Sequence, residues 1–327
     1  AESCAWPQTS ARSGIGSGGQ AHARRALEIA AAGEHHLLLV GPPGCGKTLL
    51  ASRLPGVLPA LGEDERLQVA AIASVGGRGA DARRWGSRPF RSPHHTASAV
   101  ALAGGGSVPR PGEISLAHHG VLFLDELPEW SRNALEVLRE PLESGRVTIS
   151  RAARQCEFPA RFQLIAAMNP CPCGWAGDPS GRCRCGIEAI RRYRARISGP
   201  LLDRIDLQVE VPRLASAELR TGNLPGESSE CVRARVVAAR ERQLARAGTP
   251  NARLDQAQTR EACRLEAADE ALLERAMDGL QLSARALHRI LRVARTIADL
   301  DGSDAIRTPH LSEALGYRRF ERALAAA

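Results

Sequence analysis

Gly41-Pro42-Pro43-Gly44-Cys45-Gly46-Lys47-Thr48 is the stretch on which the reading of this chain turns. It fills every fixed position of the phosphate-binding pattern G-x-x-x-x-G-K-[ST]. Lys47 is the single lysine in a chain whose lysines and arginines number 44. A compact ammonium on a flexible stem reaches between phosphates, where a planar guanidinium does not fit equally. A sequence that uses arginine at every other basic position yet keeps lysine here points to chemistry at that spot.

The surroundings fit the motif. His36 to Val40 is an apolar run of strand length, and Thr48 to Leu54 reads as the opening of a helix. Strand, glycine-rich loop and helix is the context a phosphate loop requires. The amides of Gly44 to Thr48 are expected to cradle phosphate oxygens, helped by the positive end of the helix. The Thr48 hydroxyl is the expected Mg²⁺ ligand. A chance glycine-rich turn is the bland alternative.

Further buried-strand signals follow in Val121 to Leu124, Phe162 to Met168 and Ile205 to Val211, most of them separated by helical stretches. That alternation implies an α/β core with a parallel sheet covered on both faces. The first of these runs ends in Asp125-Glu126, at the strand edge where open α/β sheets bind ligands. Asp125 is expected to hold Mg²⁺ through water, and Glu126 to orient the attacking water. An ordinary acidic strand end is the alternative. Asn169 ends the next strand, within reach of a terminal phosphate or of capping a turn before Pro170. Arg204 precedes the last strand and is expected to point outward across a subunit boundary, with an ion pair to Asp203 or Asp206 as the alternative.

Two stretches interrupt the alternation. Gly104-Gly105-Gly106 and Pro109-Arg110-Pro111-Gly112 predict loops or a hairpin. Gly145 to Arg151, returning through Gln155 to Phe158, predicts a second hairpin. After Pro212 beta-type runs vanish, and helices rich in Arg, Ala and Leu dominate. The expected division is a flexible lead-in over 1–19, a core with inserts over 20–212 and a helical lid over 213–327. Leu287, Ile290, Leu291, Ala294 and Ala298 mark one buried helix face, and Arg289 and Arg292 read as a solvated one.

Nine cysteines and a net charge of +8 complete the reading. With no secretory signal and no apolar run long enough for a bilayer, the scattered thiols read as reduced and cytoplasmic. Cys171, Cys173, Cys183 and Cys185 supply four sulfurs, with nine residues between the pairs, suited to a structural Zn²⁺. Four reduced thiols or an oxidised pair are the alternatives. The charge favours a polyanion such as nucleic acid. The doublets His94-His95 and His118-His119 lack the spacing of a helical metal pair and read as local packing or subunit contacts.

Several runs taken together carry a family resemblance: the phosphate loop, Arg88-Pro89-Phe90-Arg91-Ser92-Pro93-His94-His95, Pro111-Gly112-Glu113-Ile114-Ser115-Leu116-Ala117-His118, Val121 to Glu126, Asn169-Pro170-Cys171-Pro172-Cys173-Gly174, and Ser198 to Asp206. Over about residues 19 to 322 the chain resembles the magnesium-chelatase-like AAA+ ATPases of bacteria. The resemblance implies an AAA+ core with a helical lid, a hexameric ring, ATP with Mg²⁺, and a DNA motor promoting branch migration during natural transformation. It makes Lys47 and Thr48 the Walker A pair, Asp125 and Glu126 the Walker B pair, Asn169 sensor 1, Arg204 the arginine finger and Arg285 sensor 2. Hairpins entering a ring channel would grip single-stranded or branched DNA by its backbone, with Arg110, Arg146, Arg151 and Arg154 as candidates. The other reading is the motor subunit of a metal-insertion complex. The family usually carries an N-terminal Lon-like domain, which these residues do not include.

Overall fold

In a computed structural model of the chain, the described residues are 18–77, 85–106, 108–151, 154–213, 227–280 and 282–318. Most of the expected lead-in, and the stretch 214–226 around the expected domain boundary, lie outside them. The described residues fall into two compact units. One combines parts of 18–59, 169–191 and 205–318, and the other 60–168 and 192–204.

In the first unit, strand β1 (Leu37–Val40) is buried along its whole length, as its unbroken Leu-Leu-Leu-Val sequence demands of a parallel strand covered on both faces. It pairs in parallel with β9 (Leu207–Glu210) from Leu37↔Leu207 to Val40↔Glu210. The helix Gly18–Gly33 packs against this pair and buries Ala26, Leu27 and Ile29. Its last carbonyls are met by a buried arginine from the helix Ser229–Ala247, since Arg240 donates to Ala31 O (2.9 Å) and Ala32 O (2.8 Å). A cation there satisfies open acceptors and opposes the negative end of the helix dipole. The remaining helices, Gln256–Ala262, Ala267–Leu280, Ala284–Leu300 and Thr308–Gly316, continue the chain without further strands among the described residues, as expected of an all-α lid.

In the second unit, β2 (Phe90–Arg91), β5 (Val121–Leu124) and β8 (Gln163–Met168) lie side by side in parallel, with registers Phe90↔Val121 and Val121↔Gln163. Both β5 and β8 are wholly buried. The helix Glu63–Val75, opened by three acidic residues, belongs to the same unit. Of the loops or hairpin expected over the first interrupting stretch a hairpin is present, and the expected second hairpin is present too. β3 (Gly104–Gly105) pairs with β4 (Arg110–Pro111) in a short antiparallel ribbon. Gly104 is required there, because a Cβ at its φ of 100° would lie 2.3 Å from the Arg110 carbonyl oxygen. β6 (Arg146–Arg151) pairs with β7 (Arg154–Pro159), one residue longer at each end than the sequence indicated. Val147 and Ile149 bury one face, while Arg146 stays exposed.

The helix Ala284–Leu300 corrects one expectation. Ile290, Ala294 and Ala298 are buried as its spacing requires. Arg289 and Arg292 do not form a solvated face. Arg289 reaches Asp206 at 3.4 Å, and Arg292 donates to Thr259 Oγ1 and Ala252 O, each at 3.2 Å. Long guanidinium stems can lie along apolar surface while their heads find acceptors on neighbouring elements.

Candidate nucleotide site and cysteine cluster

The glycine loop leaves β1 under close constraint. A Cβ on Gly41 would fall 2.2 Å from the Val211 carbonyl oxygen and 2.9 Å from Cys45 Sγ, so only glycine passes between them. Gly44 (φ 75°) and Gly46 (φ 92°) take left-handed conformations that other residues adopt at a cost. The chain then enters the helix Lys47–Val57, which begins one residue before the expected Thr48 and continues past Pro55.

Lys47 sits at the first position of that helix and is 8% exposed. Its ammonium donates to Gly41 O (2.6 Å), Pro42 O (3.0 Å) and Asn169 Oδ1 (3.2 Å). A buried charge demands such acceptors. The arrangement aims one cation into a turn of backbone amides at the positive end of a helix, which fits a phosphate chain. Thr48 is exposed and Pro43 and Gly44 open to solvent, while burial pushes the Cys45 thiol up, against the charge of Lys47.

Asp125 and Glu126 leave the end of β5 as expected. Asp125 accepts from the Glu126 amide (2.9 Å), and its carbonyl accepts from Trp130 Nε1 (2.9 Å). Glu126 has φ 51°, a left-handed conformation that breaks the strand direction and leaves its side chain half exposed. Its Oε2 lies 2.9 Å from His95 Nδ1. His95 therefore does more than pack against His94, a contact not expected from the sequence alone. The signal was in the register. Arg91 pairs with Leu122 in parallel strands, so residues four further along, His95 and Glu126, leave the strand edge level with one another. His118 and His119 do serve local packing, both against Gln68 Oε1 at 2.9 Å. The His118 ring accepts the Arg161 amide at Nδ1, so its Nε2 is the donor to Gln68.

Arg204 departs from the expectation that it points outward. It is 8% exposed, donates to Pro200 O (2.6 Å) and pairs with Glu143 Oε1 (2.5 Å). Neither Asp203 nor Asp206 is its partner in that pair. The Glu143 side chain is 55% exposed, so the pair lies at the surface of its unit and not in its core. Asp206 instead receives the His36 amide (3.0 Å), His35 Nδ1 (3.5 Å) and Arg289. Burial opposes its ionisation, but the His35 hydrogen bond and the Arg289 charge prevail and hold it well below the usual carboxylate range. Burial and Arg289 outweigh Asp206 at His36, which is lowered to about 4. Arg285 is exposed in the first turn of the helix Ala284–Leu300, after the Ser283 cap.

Among the DNA candidates, Arg110 is exposed on the short ribbon. Arg146 is exposed too but pairs with Glu157 at 2.6 Å. Arg151 and Arg154 face each other in the hairpin backbone, while their side chains lie outside the described residues.

The four clustered cysteines come together, with all four sulfurs within 4.8 Å of one another. Cys171 lies 3.3 Å from Cys173 and 3.8 Å from Cys183, and Cys173 lies 3.7 Å from Cys183. Tetrahedral zinc with bonds of about 2.3 Å sets sulfur edges of about 3.8 Å. The thiols are free of disulfides. The Ala176 amide donates to Cys171 Sγ (3.3 Å), and donation from the Trp175 amide brings the Cys173 thiol down to about 6. This donor set fits Zn²⁺.

A parallel-strand core, a glycine loop around a buried lysine, an acidic pair at a strand edge and a following helical region define an AAA+ type of protein. Comparison with known proteins agrees. The family model for magnesium chelatase subunit ChlI matches residues 17–219, and that for its C-terminal region matches 226–318. The chain is 53% identical over 307 residues to competence protein ComM of Haemophilus influenzae, covering 94% of this chain and 60% of that protein. It is equally identical, with the same coverage, to YifB of Escherichia coli. A shorter match, 28% over 142 residues, covers 43% of this chain and 14% of the DNA replication licensing factor MCM4 of Drosophila melanogaster. The chain belongs to the magnesium-chelatase-like family, in its ComM/YifB branch. It spans about 60% of the length of those two relatives.

Proposed function

We propose that this chain is the ATP-hydrolysing part of a hexameric ring motor that moves along single-stranded and branched DNA, promoting branch migration during natural transformation. The observation that carries the ATPase part is the buried Lys47 ammonium, held by the loop carbonyls and by Asn169 at the end of β8. One residue thereby links the phosphate loop to the polar group proposed to sense the terminal phosphate. The DNA part is supported by the competence relative, the partial match to a replication factor, and the net charge of +8.

In this reading Lys47 and the amides of Gly44 to Thr48 bind the triphosphate of ATP. Mg²⁺, when bound, supplies positive charge against the phosphates, and the oxygen donors of Thr48 and Asp125 would hold it. Glu126, with His95 against its carboxylate, orients the attacking water. Asn169 and Arg285 respond to the terminal phosphate. Arg204 serves the neighbouring subunit's nucleotide once it exchanges Glu143 for phosphate oxygens. Arg110, Arg146, Arg151 and Arg154 contact the DNA backbone. The core over 20–212 and the lid over 213–327 form the two parts that ATP turnover moves. Zn²⁺ is the proposed resident of the cysteine cluster. The free thiols suit a reducing cytoplasm, and no helix among the described residues is long and apolar enough to cross a membrane.

The family model itself favours a second reading, the ATPase subunit of a metal-insertion complex. ATP turnover with and without single-stranded or forked DNA, at several salt concentrations, separates the two. Stimulation by DNA that fades as salt rises is the expected result. No response to DNA, with stimulation only by a protein partner, would overturn the motor in favour of the second reading.

A further inference from the structure

The cysteine cluster and the nucleotide loop belong to one compact unit and are joined at two points. The first is Asn169, whose Oδ1 accepts from Lys47 Nζ at 3.2 Å and which stands two residues before Cys171. The second is Gly174, the residue after Cys173. A Cβ built on Gly174 would lie 2.6 Å from Cδ and 2.8 Å from Cγ of Pro43, inside the phosphate loop, and Asn169 Cγ follows at 3.8 Å. Gly174 has φ 83°, and its amide donates to Cys171 O at 2.9 Å, so a tight turn presses its bare Cα face onto the proline ring.

Regular secondary structure does not explain how that turn is held. Between Gly174 and Arg182 the backbone is irregular, with Gly177 and Gly181 at positive φ. Cys171 is fully buried, and Cys183 and Cys185 close the loop from its far end. A four-thiolate metal centre would cross-link both ends and fix Cys171 and Cys173, the residues that flank the Asn169 and Gly174 contacts. Four sulfurs leave no open coordination position, which makes such an ion structural.

We propose that Zn²⁺ in the Cys171, Cys173, Cys183 and Cys185 site braces the phosphate loop, so that nucleotide affinity depends on metal occupancy. The inference rests on the ATPase reading above. The ion acts at a distance, by holding Gly174 against Pro43 and Asn169 within reach of Lys47, and takes no part in hydrolysis.

The test measures zinc stoichiometry and the affinity for a fluorescent ADP on the full reduced chain, with excess Mg²⁺ throughout. It compares loaded protein, protein stripped with a zinc-selective chelator, and stripped protein given Zn²⁺ alone. The expected result is one zinc per chain, nucleotide affinity weakened about tenfold or more on stripping, and recovery with zinc. Gly174→Ala tests the contact without disturbing a ligand. It is expected to keep one zinc per chain and to weaken nucleotide binding by a similar factor. Failure to bind zinc, equal nucleotide affinity with and without it, or a Gly174→Ala chain of normal affinity overturns the brace alone. A loaded chain that binds no nucleotide overturns the ATPase reading and the brace with it.

Discussion

Lys47 shows how much of one residue's role its sequence context carries. Its identity was legible because the motif fixes it and the composition isolates it. Its three acceptors were not, since Asn169 lies 122 positions away in sequence. A planar guanidinium does not reproduce the contacts that the compact ammonium makes with Gly41 O, Pro42 O and Asn169 Oδ1, so Lys47→Arg is expected to weaken ATP binding by about a hundredfold, read by titration calorimetry. His95 is the reverse case, seen in the sequence but given a local role. Its distance to Glu126 follows from strand register, which a linear string does not display. If the pair orients the carboxylate, His95→Ala lowers kcat by about tenfold and leaves KM for ATP nearly unchanged. An equal rise in KM with no change in kcat would contradict that role.

At the scale of elements, the strands were the easiest features to read, because continuous apolar runs have few other solutions. Side-chain partners of arginines were the hardest. Arg204, Arg289 and Arg292 each found an acceptor on an element distant in sequence, and long flexible side chains leave no periodic trace of such partners. The junction of β1, β9 and the helix Ala284–Leu300 carries a pH dependence through His36. Its folded pKa, about 4, lies below its ordinary value of 6.5. The folded state therefore disfavours the proton, so stability is full above about 6.5 and declines as pH falls toward 4. The loss is on the order of 2 kcal/mol once partial solvent access to the ring is allowed for. Asp206, also depressed, gives up its contribution only at still lower pH. Thermal unfolding between pH 7 and 4 checks this, and His36→Gln is expected to flatten the slope.

At the scale of the whole molecule, the α/β core and the helical C-terminal region were both foreseen. The interleaving of the chain between two compact units was not, because punctuation by proline and glycine marks breaks along a sequence and not returns to an earlier body. The helix Glu63–Val75 and the short strand β2 also went unrecognised, the latter because two residues are too few for any period to show. The DNA reading makes its prediction at this scale. Replacing Arg110 and Arg146 together by alanine should weaken DNA binding for every sequence alike. The slope of log affinity against log salt should fall by about one for each phosphate that is no longer neutralised. Filter binding at several salt concentrations measures it, and an unchanged slope would exclude both residues from the interface.

A chain with one lysine has a single side-chain amine open to acylation. In these 327 residues that amine is Lys47, 8% exposed and enclosed by oxygen atoms. Acetyl transfer or an activated ester can therefore mark no other side-chain amine. An adduct at Lys47 would erase the cation that the proposed function gives to the triphosphate, so mass spectrometry of the peptide bearing Lys47 reports what fraction of the chains has lost it.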